Sequence, residues 1–166
     1  MRKHRGKPAN SDLAEVFHGP MTGELGFHLR RGQIAAFRQF ARTITTTEGI
    51  TPGLYGMLQV IANNPGLSQS ALAVAMDVDR SSIVKVVNQL EEKGLIVRDA
   101  SPTDRRRYCL HMTTPGVQAL ARIEQAVLRQ DQDFSARLSD AERGTLIDLL
   151  KRLYQQDSET PANVRE

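Results

Sequence analysis

The chain has 166 residues, enough for one domain or one domain with an extension. Its composition, 40% hydrophobic but only 5% aromatic and without Trp, calls for an aliphatic core. The net charge of +3 is small, so the placement of basic residues matters more than their number. A single cysteine, Cys109, excludes an intramolecular disulfide and a cysteine-rich zinc module, and no apolar run approaches the ~18–20 residues of a membrane span.

Residues 1–20 are rich in Lys, Arg, Gly, Pro and polar groups and read as a disordered basic arm. The opening MRKHRGKPANSD is followed by no apolar stretch, so it is not expected to be a secretory signal, and the expected location is the cytoplasm. A first helix is predicted from about Thr22 to Thr45, with Leu25, Leu29, Ala36, Phe40 and Ile44 near one stripe. Gly26 and Gly32 weaken it by ~1 kcal/mol each, and the run Thr45–Thr46–Thr47 with Gly49 is expected to end it. Thr51 as cap and Pro52 in the first turn open a second helix, with Leu54, Met57, Leu58 and Ile61 inward. Asn63-Asn64-Pro65-Gly66 makes a turn, and Ser68 caps a short third helix with Leu72, Ala73 and Met76 on its apolar side.

Asp79 is suited to cap a fourth helix from Arg80 to Lys93, closed by Gly94. Ile83, Val87 and Leu90 fall at core spacing, leaving Arg80, Ser81, Lys85 and Asn88 largely on the other side. Short strands are expected at Leu95–Arg98 and Tyr108–Met112, joined by residues 99–107. Thr113 or Thr114 caps a long fifth helix with Leu120, Ile123, Val127 and Leu128 as its apolar positions. Ser139-Asp140-Ala141-Glu142 is a capping box that opens a last helix carrying Leu146, Leu149, Leu150 and Leu153.

The predicted fold is mainly α with a small β-hairpin wing, a winged helix-turn-helix with a flanking helical dimerisation region. Residues 21–156 form a single domain: 51–113 is the DNA-binding module, 21–47 and 114–156 the dimerisation helices, and 157–166 a flexible tail. The flanking stripes pack either on one another within a subunit or on a second copy. Because those helices come from both chain ends, the homodimer is the favoured reading, and it would set two recognition helices about 34 Å apart.

Arg80, Ser81, Ser82, Lys85 and Asn88 are the candidate major-groove residues. Arg80 is able to pair bidentately with guanine, while the serine hydroxyls suit bases or phosphates; the competing reading is a solvated, capped helix face. Asp104-Arg105-Arg106-Arg107 occupies the hairpin tip, where three adjacent cations expect an anion such as a narrow minor groove, with Asp104 pairing one of them.

Together these pieces resemble the MarR family of bacterial transcription regulators. The resemblance runs from about Leu25 to Leu153 and rests on TPGLYGMLQVIANNPGLSQSALA (51–73), DRSSIVKVVNQLEEKGLIVR (79–98), SPTDRRRYCLHMTTPG (101–116) and LSDAERGTLIDLLKRL (138–153). Its most specific element is the Asp-Arg-Arg of the wing followed by a strand and Thr-x-x-Gly. The resemblance implies a homodimer on a palindromic site in double-stranded DNA, usually a repressor, released by small, often aromatic, anionic ligands. By position, Arg106 matches the arginine such proteins insert into the minor groove and Asp104 the residue that braces it. The stretch LGFHLRRGQIAAF (25–37) looks like members that control aromatic-acid catabolism, some of which sense CoA thioesters.

Candidate effector residues are His28, Arg31, Phe37, Phe40, Tyr55 and Met57, each also readable as plain core or surface. Arg31 or Arg38 would hold a carboxylate or phosphate. Redox control through Cys109, beside the three arginines, is a competing trigger, although peroxide sensors of the family carry their cysteine in the first helix and this chain has none there. His4, His18, His28 and His111 lack close ligand spacing, so neither metal nor cofactor is expected. No phosphate loop, nucleophile elbow or zincin motif is present, which argues against an enzyme; a winged helix that binds protein rather than DNA is the other alternative.

Overall fold

The computed structural model describes residues 19–100 and 108–155, and the chain divides after Phe37 into two compact units. In the first, a 3-10 turn (Gly19–Gly23) leads into α1 (Leu25–Phe40). Leu25 and Leu29 of the predicted stripe, and Phe37 of α1, are exposed.

In the second unit α1 passes into a π-helical turn, Ala41–Thr45, and a last α turn, Thr46–Glu48. The helix therefore runs three residues past the expected Thr45, through the threonine run, before it ends. Thr43, Thr46 and Thr47 hydroxyls donate to main-chain carbonyls of Gln39, Ala41 and Thr43, which satisfies groups a widened turn would otherwise strand. The stop comes at Gly49, whose φ of +64° only glycine adopts at no cost.

Next come α2 (Pro52–Asn63), β1 (Leu67–Ser68), α3 (Gln69–Ala75), α4 (Arg80–Glu92), β2 (Ile96–Ala100), β3 (Tyr108–Met112), α5 (Thr114–Ser135) and α6 (Asp140–Tyr154). Thr51, Ser68, Asp79, Thr113 and Ser139 each accept a main-chain N–H from inside the helix they cap. Ser139 and Glu142 complete the capping box, and the Ser139 N–H, then its hydroxyl, hold the Glu142 carboxyl below its usual pKa.

The sheet is antiparallel in the order β1-β3-β2, with Leu67 opposite Leu110 and Ile96 opposite Met112. β1 was not anticipated, and β2 starts and ends later than the expected Leu95–Arg98. Both features arise from pairing with β3 rather than from local pattern. Ile44, Ile50, Leu58, Ile61, Leu72, Ile83, Val87, Leu90, Ile96, Leu110 and Ile123 form the fully buried centre, an aliphatic core as the composition requires.

Where α5 begins, the chain approaches itself closely. Thr113 donates its N–H to the Leu95 carbonyl (3.1 Å) and its hydroxyl to the Gly94 carbonyl (2.6 Å), and accepts from the Gly116 N–H (2.9 Å). A Cβ on Gly116 would lie 1.9 Å from the Leu95 oxygen, so no side chain fits. Among the positions expected to be apolar on α5, Leu120 and Ile123 are buried, but Leu128 is exposed on the outer side, a correction to the predicted stripe. No residue of α6 is buried: Leu146, Leu149 and Leu153 face outward, Leu149 at 48%.

Candidate nucleic-acid interface

α4 turns Ile83, Val87 and Leu90 into the core and leaves Arg80, Ser81, Val84, Lys85 and Asn88 on its outer side. That division follows from the 3.6-residue period. Asp79 organises the start of the helix. Its carboxylate accepts the Ser82 N–H (2.9 Å), the Ser81 hydroxyl (2.6 Å) and the Ser82 hydroxyl (2.6 Å). The Ser81 hydroxyl bond, then that of Ser82, keep the Asp79 carboxyl well below the usual carboxylate range. The two serine protons are thus engaged, and their oxygens are left to accept hydrogen bonds, for example from the amino groups of cytosine or adenine in a major groove. Arg80 and Lys85 make no hydrogen bond or ion pair within the described residues, so both cations are free for an external anion.

Asn88 is the exception on this face. Its Oδ1 accepts from the Arg98 guanidinium, which also pairs with Glu91 at 3.0 Å. Arg98, on β2, thereby ties the hairpin to the exposed side of α4. This was invisible in the sequence because the partner lies ten residues away on another element. The wing residues Asp104, Arg105, Arg106 and Arg107 lie outside the described residues. The strands that carry them place their two ends side by side, Ala100 opposite Tyr108.

The six predicted effector residues fall in the two units. In the first, His28 Nε2 lies 2.8 Å from the Thr22 carbonyl, the Arg31 guanidinium stands 5.7 Å above the Phe27 ring, and Phe37 is exposed. In the second, Phe40 and Met57 belong to the core, both at 6% exposure. Tyr55 packs against Phe40, with ring centroids 6.2 Å apart, and its hydroxyl accepts from Gln59, which also donates to Glu124. Arg38 is exposed. A separate cleft of about 760 Å³ opens between the turn after α1 and the middle of α5, lined by Thr43, Thr47, Glu48, Arg122, Gln125 and Arg129. An Arg122–Glu48 ion pair at 3.5 Å links its walls. None of the six predicted residues lines it. Periodicity had no means of finding it, since it depends on how two helix ends meet.

Cys109 is half-buried on β3 between Ser68 and Asp99. Among the described residues no cluster of three or more His, Cys, Asp or Glu is placed to hold a metal, and no helix is long and apolar enough to cross a membrane.

A MarR family model matches residues 48–107, which include α2, α3, α4 and β2. Over all 166 residues, and the full length of both chains, this chain is 94% identical to a provisionally assigned transcriptional regulatory protein for the hcr operon of Thauera aromatica. Among solved structures it resembles the transcriptional repressor CouR bound to a 23-mer DNA duplex, at 30% identity and a TM-score of 0.79 over 84% of this chain and 98% of that one. It also resembles the PcaV regulator of Streptomyces coelicolor in complex with its natural ligand, at 28% identity and 0.75 over 84% and 98%. The capped recognition helix, the antiparallel wing and the flanking helices are thus those of a winged helix-turn-helix, and the chain belongs to the MarR family: it is a transcription regulator and not an enzyme.

Proposed function

We propose that this protein is a cytoplasmic, homodimeric repressor that binds a pseudo-palindromic operator and releases it on binding a small anionic ligand. One observation carries the reading. α4 presents Arg80 and Lys85 unpaired on an exposed face whose first turn is fixed by Asp79. Such a helix fits a major groove, with Arg80 aimed at a base edge, Ser81 and Ser82 as acceptors, and Lys85 at a phosphate. Arg105, Arg106 and Arg107 then serve the adjacent minor groove, with Arg106 inserted and Asp104 bracing it. Asn88 acts through Arg98 as a strut between helix and wing. The duplex-bound state of CouR supports this reading.

The dimer follows from uncovered apolar surface. Leu146, Leu149 and Leu153 on α6, and Leu25, Leu29 and Phe37 on α1, are large aliphatic or aromatic groups facing solvent in the single chain. Patches of this kind in a soluble protein mark an interface, and a two-fold axis would place both recognition helices on one side of the duplex.

For the ligand, CouR has been solved with p-coumaroyl-CoA. By analogy we assign an aromatic acid or its CoA thioester to this chain, with His28, Arg31, Phe37 and Tyr55 as the residues to test first and Arg31 as the charge partner. Release requires only that the ligand favour the form of the dimer that does not fit the operator.

The test is equilibrium binding of duplexes taken from DNA flanking the coding region. Contacts to several phosphates give a log–log salt slope of about −0.9 per phosphate. Titration with aromatic acids and their CoA thioesters should then lower operator affinity about 5–150-fold. A flat salt dependence would overturn DNA as the partner and favour a protein one.

A further inference from the structure

The outer side of α4 contains one residue that neither the core nor helix formation requires. Val84 is 41% exposed, between Ser81 and Lys85, while Ile83 and Val87 on the same helix are fully buried. A β-branched side chain is a poor choice for an exposed helix position, because it loses rotamer freedom without gaining burial. Val84 also has a specific place. Arg80, Val84 and Asn88 follow one another at four-residue intervals and form a single row along the helix. The row starts with the free guanidinium of Arg80 and ends with Asn88, whose oxygen is held by Arg98.

A row facing a major groove meets donors, acceptors and one apolar feature, the C5 methyl of thymine, which apolar side chains recognise. Resting on the reading of α4 as the recognition helix, we propose that Val84 is a specificity-determining residue that packs against a thymine methyl in each half-site. With a rise of 1.5 Å per residue, Val84 lies about 6 Å along the helix from Arg80, and with about 3.4 Å between stacked bases this puts the thymine within roughly two base steps of the base Arg80 reads. The contact excludes cytosine, which lacks the methyl at the same edge, and so supplies discrimination that Arg80 and the serine oxygens do not.

The experiment uses the full-length protein and a duplex enriched by it from a randomised pool, at one fixed salt concentration. Each thymine is replaced in turn by uracil, which removes the methyl and leaves base pairing intact. One position per half-site should show a loss of about fourfold in Kd on losing the methyl, the equivalent of about 0.8 kcal/mol for one buried carbon. Val84→Ala should weaken binding to the thymine duplex by at least as much and bind the uracil duplex at that position no more weakly. Val84→Thr, of the same shape with one methyl kept, should fall between. The salt slope should be the same for all three proteins, since no phosphate contact is removed. Wild-type protein indifferent to every uracil, or Val84→Ala keeping the wild-type sensitivity, would overturn the proposal while leaving operator binding standing. Failure to enrich any duplex would remove the DNA-binding reading itself and this contact with it.

Discussion

Asp79 performs two tasks with one carboxylate. It caps α4, and it orients Ser81 and Ser82 at the helix end expected to meet bases. Its folded-state pKa lies below the value of about 3.9 for a free Asp. The group therefore stabilises the folded protein fully above that ordinary value, and the contribution is lost as pH falls below it toward the folded-state value. In urea unfolding, the destabilisation caused by Asp79→Ala should be constant from pH 8 to 5 and shrink below about pH 4. A difference that grew in acid would contradict the hydrogen-bond network. The two kinds of arginine should separate cleanly. Arg80→Ala should cost about 1–3 kcal/mol at the operator, concentrated at one position of each half-site, with little change on random DNA. Arg106→Ala should lower the log–log salt slope by about one if it meets a phosphate. Competition assays across a salt series read out both.

At the level of elements, much of the architecture was legible because cap chemistry is local. Thr51-Pro52, Asp79, Thr113 and Ser139 each announce a helix within three residues of where it starts. Thr113 and Gly116 also have a reason that spacing alone did not give: the first turn of α5 lies against the Leu95 carbonyl. Gly116→Ala should therefore destabilise the protein by an amount at the upper end of about 1–3 kcal/mol, read as a lowered urea midpoint, because the obstacle is main chain and cannot swing away. What stayed hidden was long-range. β1 is two residues long and becomes a strand only by pairing with Leu110 and Cys109. The hydrogen bond from Arg98 to Asn88 links two elements that local pattern does not relate. Leu128 fits a helical stripe yet faces outward, because periodicity says that a face exists without saying how wide the neighbouring surface is.

For the whole molecule, the same limit applies to assembly. The sequence pattern marks stripes on α1 and α6 that want cover, and Leu146, Leu149 and Leu153 of α6 are exposed. In sedimentation equilibrium the protein should weigh twice 18.5 kDa. Leu149→Glu should shift it toward the monomer and weaken operator binding in step, because half-sites one turn apart need both lobes. A dimer untouched by that charge would move the interface elsewhere. The cleft beside Arg122, lined by no residue that sequence reasoning selected, belongs to this scale too, since it exists only where the turn after α1 and the middle of α5 come together.

The close fit at Gly116 joins the root of the hairpin to the foot of a 22-residue rod. At 1.5 Å per residue that rod is about 33 Å long, so a swing of about ten degrees at the joint moves its far end by roughly 6 Å. The same proportion holds in reverse: a displacement of about 6 Å near Ser135 would correspond to a turn of only about ten degrees at the hairpin root. Gly116, where no side chain fits, stands at the point about which such a turn would be measured.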